Sequence, residues 1–230
     1  MDSGSLTDRF YGLIKSYHAA AKAKEANYPE VDILSIWKRF LKELSITAPS
    51  MKVLQEMAIR FECAVNPGWP RPILKDFLKN LKGRSKPMGI VSNAQFYTPI
   101  KLEAFIGPTL GDLGFDNYLC FWSFQKHLEK PSVELFEKLT EALGRRCIAA
   151  GQALYLSNDL LNYIWTANDV GLQAVSFAGD ERSLRLCKSN DRCADLSADT
   201  VVTALIQIET LIWFDRITAT SNLLPWLHPV

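Results

Sequence analysis

Up to residue 65 the apolar positions recur at helical spacing. Phe10, Leu13, Ile14 and Tyr17 form one stripe, and Ile33, Ile36, Trp37, Phe40, Leu41 and Leu44 form another. Pro29 and Pro49 punctuate these runs. A third run, 50–65, carries Val53, Leu54, Met57 and the stretch Ile59 to Phe61. No strand pattern precedes Asn66, so the pattern predicts a small helical bundle.

The character changes at NPGWPRP, residues 66–72, where three prolines and a glycine fall within seven residues and predict a stiff linker or turn. Residues 70–81 then read as an amphipathic helix with Ile73, Leu74, Phe77, Leu78 and Leu81 on one side and Gly83 as its C-terminal cap. Beyond it, short apolar runs alternate with helical ones. Strands are predicted at 88–91, 118–124, 153–156 and 173–177, and the apolar run 200–208 is a candidate last strand. Helices are predicted at 98–105, 132–143 and 161–170. Ser132 is placed to cap the second of these, with Val133, Phe136, Leu139 and Leu143 facing inward. Strands separated by ten-to-fifteen-residue helices imply right-handed βαβ crossovers, hence an α/β fold with a parallel sheet. The final stretch, TSNLLPWLHPV, has no clear pattern.

Composition narrows the function classes. The chain has 230 residues, 48% of them hydrophobic, and a formal net charge of +1. That is enough for a sizeable core, and the mixed charges offer no basic stripe for nucleic acid. No apolar run is long enough to span a membrane, and the N-terminal residues lack the layout of a secretory signal. The five cysteines, Cys63, Cys120, Cys147, Cys187 and Cys193, are odd in number and form no CxxC pair; the only histidines are His18, His127 and His228. A zinc site and a full disulfide framework are both disfavoured, and reduced thiols in a cytoplasmic protein are expected.

Three stretches carry candidate chemistry at predicted strand ends, where ligands of open α/β sheets bind. The first is Ser92-Asn93, a hydroxyl and an amide closing GIVSN, suited to an oxyanion or equally to a turn. The second is Lys130, in the loop before Pro131, a cation able to neutralise an anionic nucleophile or substrate; Lys126 is its rival, and a solvated surface lysine is the plain alternative. The third is Ser157-Asn158-Asp159. Asp159 could hold a hard cation such as magnesium, or cap the helix that follows.

Together, in this order, the three stretches resemble the haloacid-dehalogenase-like (HAD) hydrolase superfamily, mostly magnesium-dependent phosphatases. GIVSN, 89–93, is similar to its second motif, an apolar strand ending in Ser or Thr. KPSVELFEKL, from Lys130, is similar to the third, a lysine before a helix. Ala167-Asn168-Asp169-Val170-Gly171 matches the tail of the fourth. The resemblance covers roughly residues 5–210. It implies a three-layer Rossmann-like parallel-sheet core over 67–215, an N-terminal helical cap over 1–66 and a C-terminal tail over 216–230.

The resemblance further implies a phosphomonoesterase acting on a small phosphorylated metabolite through an aspartyl-phosphate. Ser92, Asn93 and Asn158 would bind phosphate or substrate, Ser92 and Lys130 would be catalytic, and Asp159 would hold magnesium. The first motif, a strand ending in the nucleophilic Asp-x-Asp, has no counterpart here. DSGSL matches only its end, placing Met1 at the nucleophile and Ser3 at the acid, so no nucleophile is assigned. In the fourth motif Ser157 replaces a glycine and Tyr163 stands where a second acid is expected, which depletes the magnesium ligands. A truncated or impaired hydrolase follows, the alternative being a catalytically degenerate binding or interaction protein. Dehalogenation, which needs the same aspartate but no metal, is a third option. In the family the first-motif strand lies mid-sheet, so without it the strands at 88–91 and 153–156 lack their shared neighbour. VVTALIQI, within 200–208, is a candidate filler, although its usual place is the sheet edge. Substrate identity and oligomeric state are not readable from the sequence.

Overall fold

The structure is a computed structural model that describes residues 3–22, 28–187, 191 and 196–213. The C-terminal tail, Cys193 and His228 lie outside the described residues. The chain divides into two compact units, 1–147 and 148–230, so the expected boundary after residue 66 falls inside the first.

The first unit opens with three helices, α1 (Ser3–Lys22), α2 (Ile33–Glu43) and α3 (Met51–Val65). Their predicted stripes meet. Phe10, Leu13, Ile36, Trp37, Phe40, Leu41, Leu54 and Ala58 are buried in one cluster, with the Phe10 ring 4.6 Å from Trp37 and 5.0 Å from Phe61. Asp32 caps α2 by accepting from the N–H groups of Leu34 and Ser35. The stretch Gly4-Ser5-Leu6 lies within α1, not at the end of a strand.

Helix α4 (Leu74–Gly83) begins four residues later than the pattern predicts. A residue preceding proline is pushed out of the helical region, and Arg71 precedes Pro72. Ile73 consequently sits outside the helix, 55% exposed, while Phe77, Leu78 and Leu81 are buried. Strand β1 (Met88–Ser92), helix α5 (Tyr97–Ile106), strand β2 (Phe115–Trp122), a short α6 (Ser123–Lys126) and α7 (Glu134–Gly144) complete the unit. Strands β1 and β2 pair in parallel, Val91 opposite Phe121 and Ser92 opposite Trp122, with a register shift between Met88 and Ile90. Gly89 sits at that shift, where a Cβ would stand 2.5 Å from the Leu119 carbonyl oxygen. Only glycine lets the two backbones come so close. Tyr97 of α5 reaches the buried cluster of α1 to α3, linking the helical part to the segment after β1. Ser132 falls just before α7, not at its cap position, although its Oγ still accepts from the Glu134 N–H.

The second unit holds β3 (Leu154–Ser157), a π-helix (Leu160–Trp165) running into α8 (Thr166–Asp169), β4 (Gln173–Phe177), β5 (Thr200–Val202) and α9 (Leu205–Trp213). The strands are parallel in the order β3-β4-β5. Gly171, with φ of 77°, makes the turn into β4 as its position predicts. The apolar run 200–208 splits. Its first residues pair with β4 at the sheet edge, and Gln207 Oε1 then takes the N–H groups of Thr203 and Ala204, turning the chain into α9. VVTALIQI is therefore not the filler.

The molecule is thus mixed α/β with parallel sheets and N-terminal helices. Among the described residues the strands make two small sheets, of two and three strands, where one larger sheet was expected. Among the described residues β1 pairs with β2 and β3 with β4, and no described strand precedes β1. No described helix is long and apolar enough to cross a membrane.

Candidate functional site

In the first unit the structure brings Ser92, Asn93 and Lys130 together. Ser92 ends β1 half-buried, its Oγ donating to the Asn93 carbonyl at 3.2 Å. Asn93 then holds the loop carrying Lys130. Its Oδ1 accepts from the Lys130 N–H at 2.7 Å, and its Nδ2 donates to the Lys130 carbonyl at 3.2 Å. The Lys130 side chain is 3% exposed, and its Nζ donates to the Val91 carbonyl at 2.8 Å. The ammonium also lies 5.9 Å from the centre of the Phe136 ring. A buried ammonium is costly unless hydrogen-bonded, so this one is a placed charge and not the solvated lysine of the plain alternative. The Lys130–Pro131 peptide is cis. A hydroxyl and an ammonium at the carboxyl end of β1 are groups that can stabilise an oxyanion.

Several residues that the sequence reading passed over support this loop. Ser123, fully buried after β2, accepts from the Ala94 N–H at 2.7 Å and donates to the Ala94 carbonyl at 3.0 Å. Its signal was the same as that of Ser92, a serine at an apolar strand's end. Gln95 Nε2 donates to Glu30 Oε1 at 2.8 Å and to the Val31 carbonyl at 2.9 Å. An antiparallel bridge between Pro29 and Leu128, flanked by Glu129 N–H to the Tyr28 carbonyl at 2.8 Å, sets Glu30 and Glu129 near one another. Burial raises both acids. For Glu30, hydrogen bonds from Ser123, Val31 and Gln95 and the charge of His18 work against it. For Glu129, burial and then the charge of Glu30 push the carboxyl up to about 7. Nothing in the local pattern marks these two glutamates, because their proximity comes from chain segments a hundred positions apart.

In the second unit Asn158 and Asp159 follow β3. Asn158 Nδ2 donates to the Ser183 carbonyl at 2.7 Å, and its own carbonyl accepts from the Arg185 N–H at 2.8 Å. Asp159, 5% exposed, caps the π-helix: Oδ1 accepts from the Asn162 N–H at 2.9 Å and Oδ2 from Asn162 Nδ2 at 3.0 Å. The cap is the second of the two roles the sequence left open for Asp159. Tyr163 stacks on Tyr155 with ring centres 6.2 Å apart, and burial raises both phenols.

Magnesium takes about six oxygen ligands, typically with one or two carboxylates. Both Asp159 oxygens are engaged in the cap, and no group of three His, Cys, Asp or Glu side chains gathers among the described residues. The donor set does not fit the ion, and no step is derived through it.

No protein-family model and no curated protein matches the sequence. Solved structures do match. An L-2-haloacid dehalogenase from Xanthobacter autotrophicus aligns with a TM-score of 0.56 and 20% identity, over 94% of this chain and 87% of that one. YfnB from Bacillus subtilis, crystallised bound to magnesium, aligns with a TM-score of 0.54 and 17% identity, over 92% and 84%. A HAD phosphatase from Thermococcus onnurineus aligns with a TM-score of 0.51 and 20% identity, over 77% and 70%. Identities this low speak for the fold alone. The chain has the fold of the haloacid-dehalogenase-like superfamily.

Proposed function

We propose that this chain carries the oxyanion-binding half of a HAD-like hydrolase, a phosphomonoesterase for a small phosphorylated metabolite. The observation behind this reading is the buried Lys130, whose Nζ donates to the carbonyl of Val91, the residue before Ser92, and whose backbone is held by the Asn93 side chain. In the reaction an aspartate carboxylate attacks phosphorus and the ester oxygen leaves, protonated, as the alcohol. Water then cleaves the acyl phosphate, releasing phosphate and restoring the carboxylate. No residue of this chain is assigned as that aspartate. The three-layer Rossmann-like core is part of this reading, although no described strand takes the first motif's place. By itself this polypeptide binds the anion and does not turn over, since loss of a nucleophile lowers kcat by a factor on the order of 10⁶. Asn158 and Asp159 enter this reading as supports of the loop after β3.

Calorimetric titration with inorganic phosphate tests the binding half. Saturable binding that disappears in Lys130→Met supports it, and no binding to the parent chain overturns it. Assay with an aryl phosphate tests the chemistry. Turnover at the level of buffer fits the impaired form, while turnover lost in Lys130→Ala rejects the degenerate alternative. One observation favours a second reading, hydrolysis at carbon as in 2-haloacid dehalogenation: that chemistry needs no metal, and the described residues offer no magnesium donor set. Chloride release from 2-chloropropionate, with no hydrolysis of the aryl phosphate, would favour it.

A further inference from the structure

The loop that follows Ser92 lines a cavity of about 630 Å³ within the first unit. Asn93, Ala94 and Gln95 contribute on that side, together with Glu129, the residue before Lys130. The cavity is the cleft of the oxyanion site, the space into which the rest of a bound ester extends. Its volume is in the range of small-molecule pockets.

Part of the lining is apolar, and the sequence explains how. Leu102, Phe105 and Ile106 fall at i, i+3 and i+4 of α5, on one face of the helix. Leu74 opens α4, and Trp69 comes from the proline-rich turn before it. Phe105 is 43% exposed and Trp69 79%. Two aromatic rings open to water beside a cleft lose that contact with water when an apolar group enters, which favours such a group.

The polar side chains of the lining are mostly spent within the protein. Lys101 Nζ donates to Glu62 Oε1 and to the Asn66 carbonyl, both at 3.4 Å, and Tyr97 also donates to Glu62. Gln95 is taken by Glu30 and the Val31 carbonyl, and Asn93 by the Lys130 backbone. Arg71 is engaged as well. A body rich in hydroxyls, such as a sugar or polyol, would have to break these bonds to satisfy its own groups, and each bond broken without a replacement is costly.

We infer that the site takes a phosphomonoester whose alcohol is aromatic or branched aliphatic and bears no array of hydroxyls. The inference rests on the hydrolase reading and names the substrate class for that same site. Ser92 and Lys130 hold the oxyanion, and the body lies against Leu102, Phe105 and Trp69. The selection comes from apolar surface removed from water, with ring-on-ring contact adding to it where the body is aromatic.

The test is calorimetric titration of the full chain with inorganic phosphate, methylphosphonate, benzylphosphonate and glucose 6-phosphate at one pH. Benzylphosphonate keeps the shape of an aryl ester, with carbon in place of the bridging oxygen. It should bind at least about tenfold more tightly than methylphosphonate, the return expected when one ring leaves water, and more tightly than glucose 6-phosphate. In Trp69→Ala and, separately, in Phe105→Ala, the ratio of benzylphosphonate to methylphosphonate affinity should fall at least about threefold. Both side chains are exposed, so neither truncation hollows the core. Where inorganic phosphate binds, a ratio near one in the parent, a glucose 6-phosphate affinity equal to that of benzylphosphonate, or a ratio unchanged in either variant would overturn this inference alone. Failure of inorganic phosphate to bind the parent chain would overturn the hydrolase reading and this inference with it.

Discussion

The Asn93 side chain engages both backbone polar groups of Lys130, accepting from its N–H at 2.7 Å and donating to its carbonyl at 3.2 Å. A side-chain amide here takes the place of a neighbouring strand, tying the end of β1 to a loop 37 residues further on. The lysine's own ammonium returns to Val91 on the same strand, so the loop is held at two points.

Asn93→Ala should lower stability by about 1–3 kcal/mol, the cost of leaving partly buried polar groups without their partner. Asn93→Asp should be no better, because it keeps the acceptor for the Lys130 N–H but sets a carboxylate oxygen against the Lys130 carbonyl. For a chain of this size each kcal/mol is about 2–4 °C in melting temperature. Thermal unfolding of both variants checks this, and melting within 1 °C of the parent, on the order of error for such scans, would show that the amide clamp contributes little.

Gly89→Ala probes the register shift between β1 and β2. The added Cβ would meet the Leu119 carbonyl oxygen at 2.5 Å and the Leu119 Cβ at 2.8 Å, and neither is the tip of a flexible side chain. The strands must part, at a cost of about 1–3 kcal/mol. Gly83→Ala is the matched control, since nothing lies within 4 Å of its added Cβ. Urea unfolding of the pair should show a loss only at 89.

Much of this was legible beforehand. The helical stripe through Ile33, Ile36, Trp37, Phe40 and Leu41 and the parallel pairing of the later strands follow from periods of 3.6 and from βαβ spacing, which are local properties. Ser92, Asn93 and Lys130 were legible because each ends a strand or precedes a helix. The helix start at Leu74 was misplaced because two prolines compete with the apolar stripe. The split of 200–208 escaped because an apolar run does not reveal where a side chain such as Gln207 will take over the backbone N–H groups. The carboxylate pair Glu30 and Glu129 was invisible for a different reason: it arises from a single antiparallel bridge between distant segments, which no local period encodes.

Glu129 gives the chain a pH dependence whose sign is set by its raised pKa. Burial and the Glu30 charge move the carboxyl from 4.5 to about 7, so the folded chain holds this proton more tightly than the unfolded one. The raised group leaves stability undiminished below about pH 4.5 and lowers it progressively as pH rises through 7. The full shift would correspond to about 3 kcal/mol. With the side chain 27% exposed, solvent screening reduces that to about 1–2 kcal/mol. Glu129→Gln should flatten most of the decline between pH 5 and pH 8 in urea-unfolding measurements, and should exceed the parent in stability at pH 8. Parallel curves for the two proteins would remove Glu129 as the source.

Asp159 separates a helix cap from a metal ligand. As a cap, its worth lies in the two hydrogen bonds to Asn162 that open the π-helix, and losing them in Asp159→Ala should cost about 0.5–2 kcal/mol. Asp159→Asn keeps the Oδ1 acceptor for the Asn162 N–H and should cost less. A metal ligand behaves differently: a cation that binds only the folded chain raises its melting temperature in a saturable way. With one carboxylate already occupied and no cluster of three ligating side chains among the described residues, magnesium chloride should shift melting no more than sodium chloride at equal ionic strength. A saturable rise with magnesium that vanishes in Asp159→Asn would show that the Asn162 contacts yield to the ion, and would restore the metal role that the motif order implies.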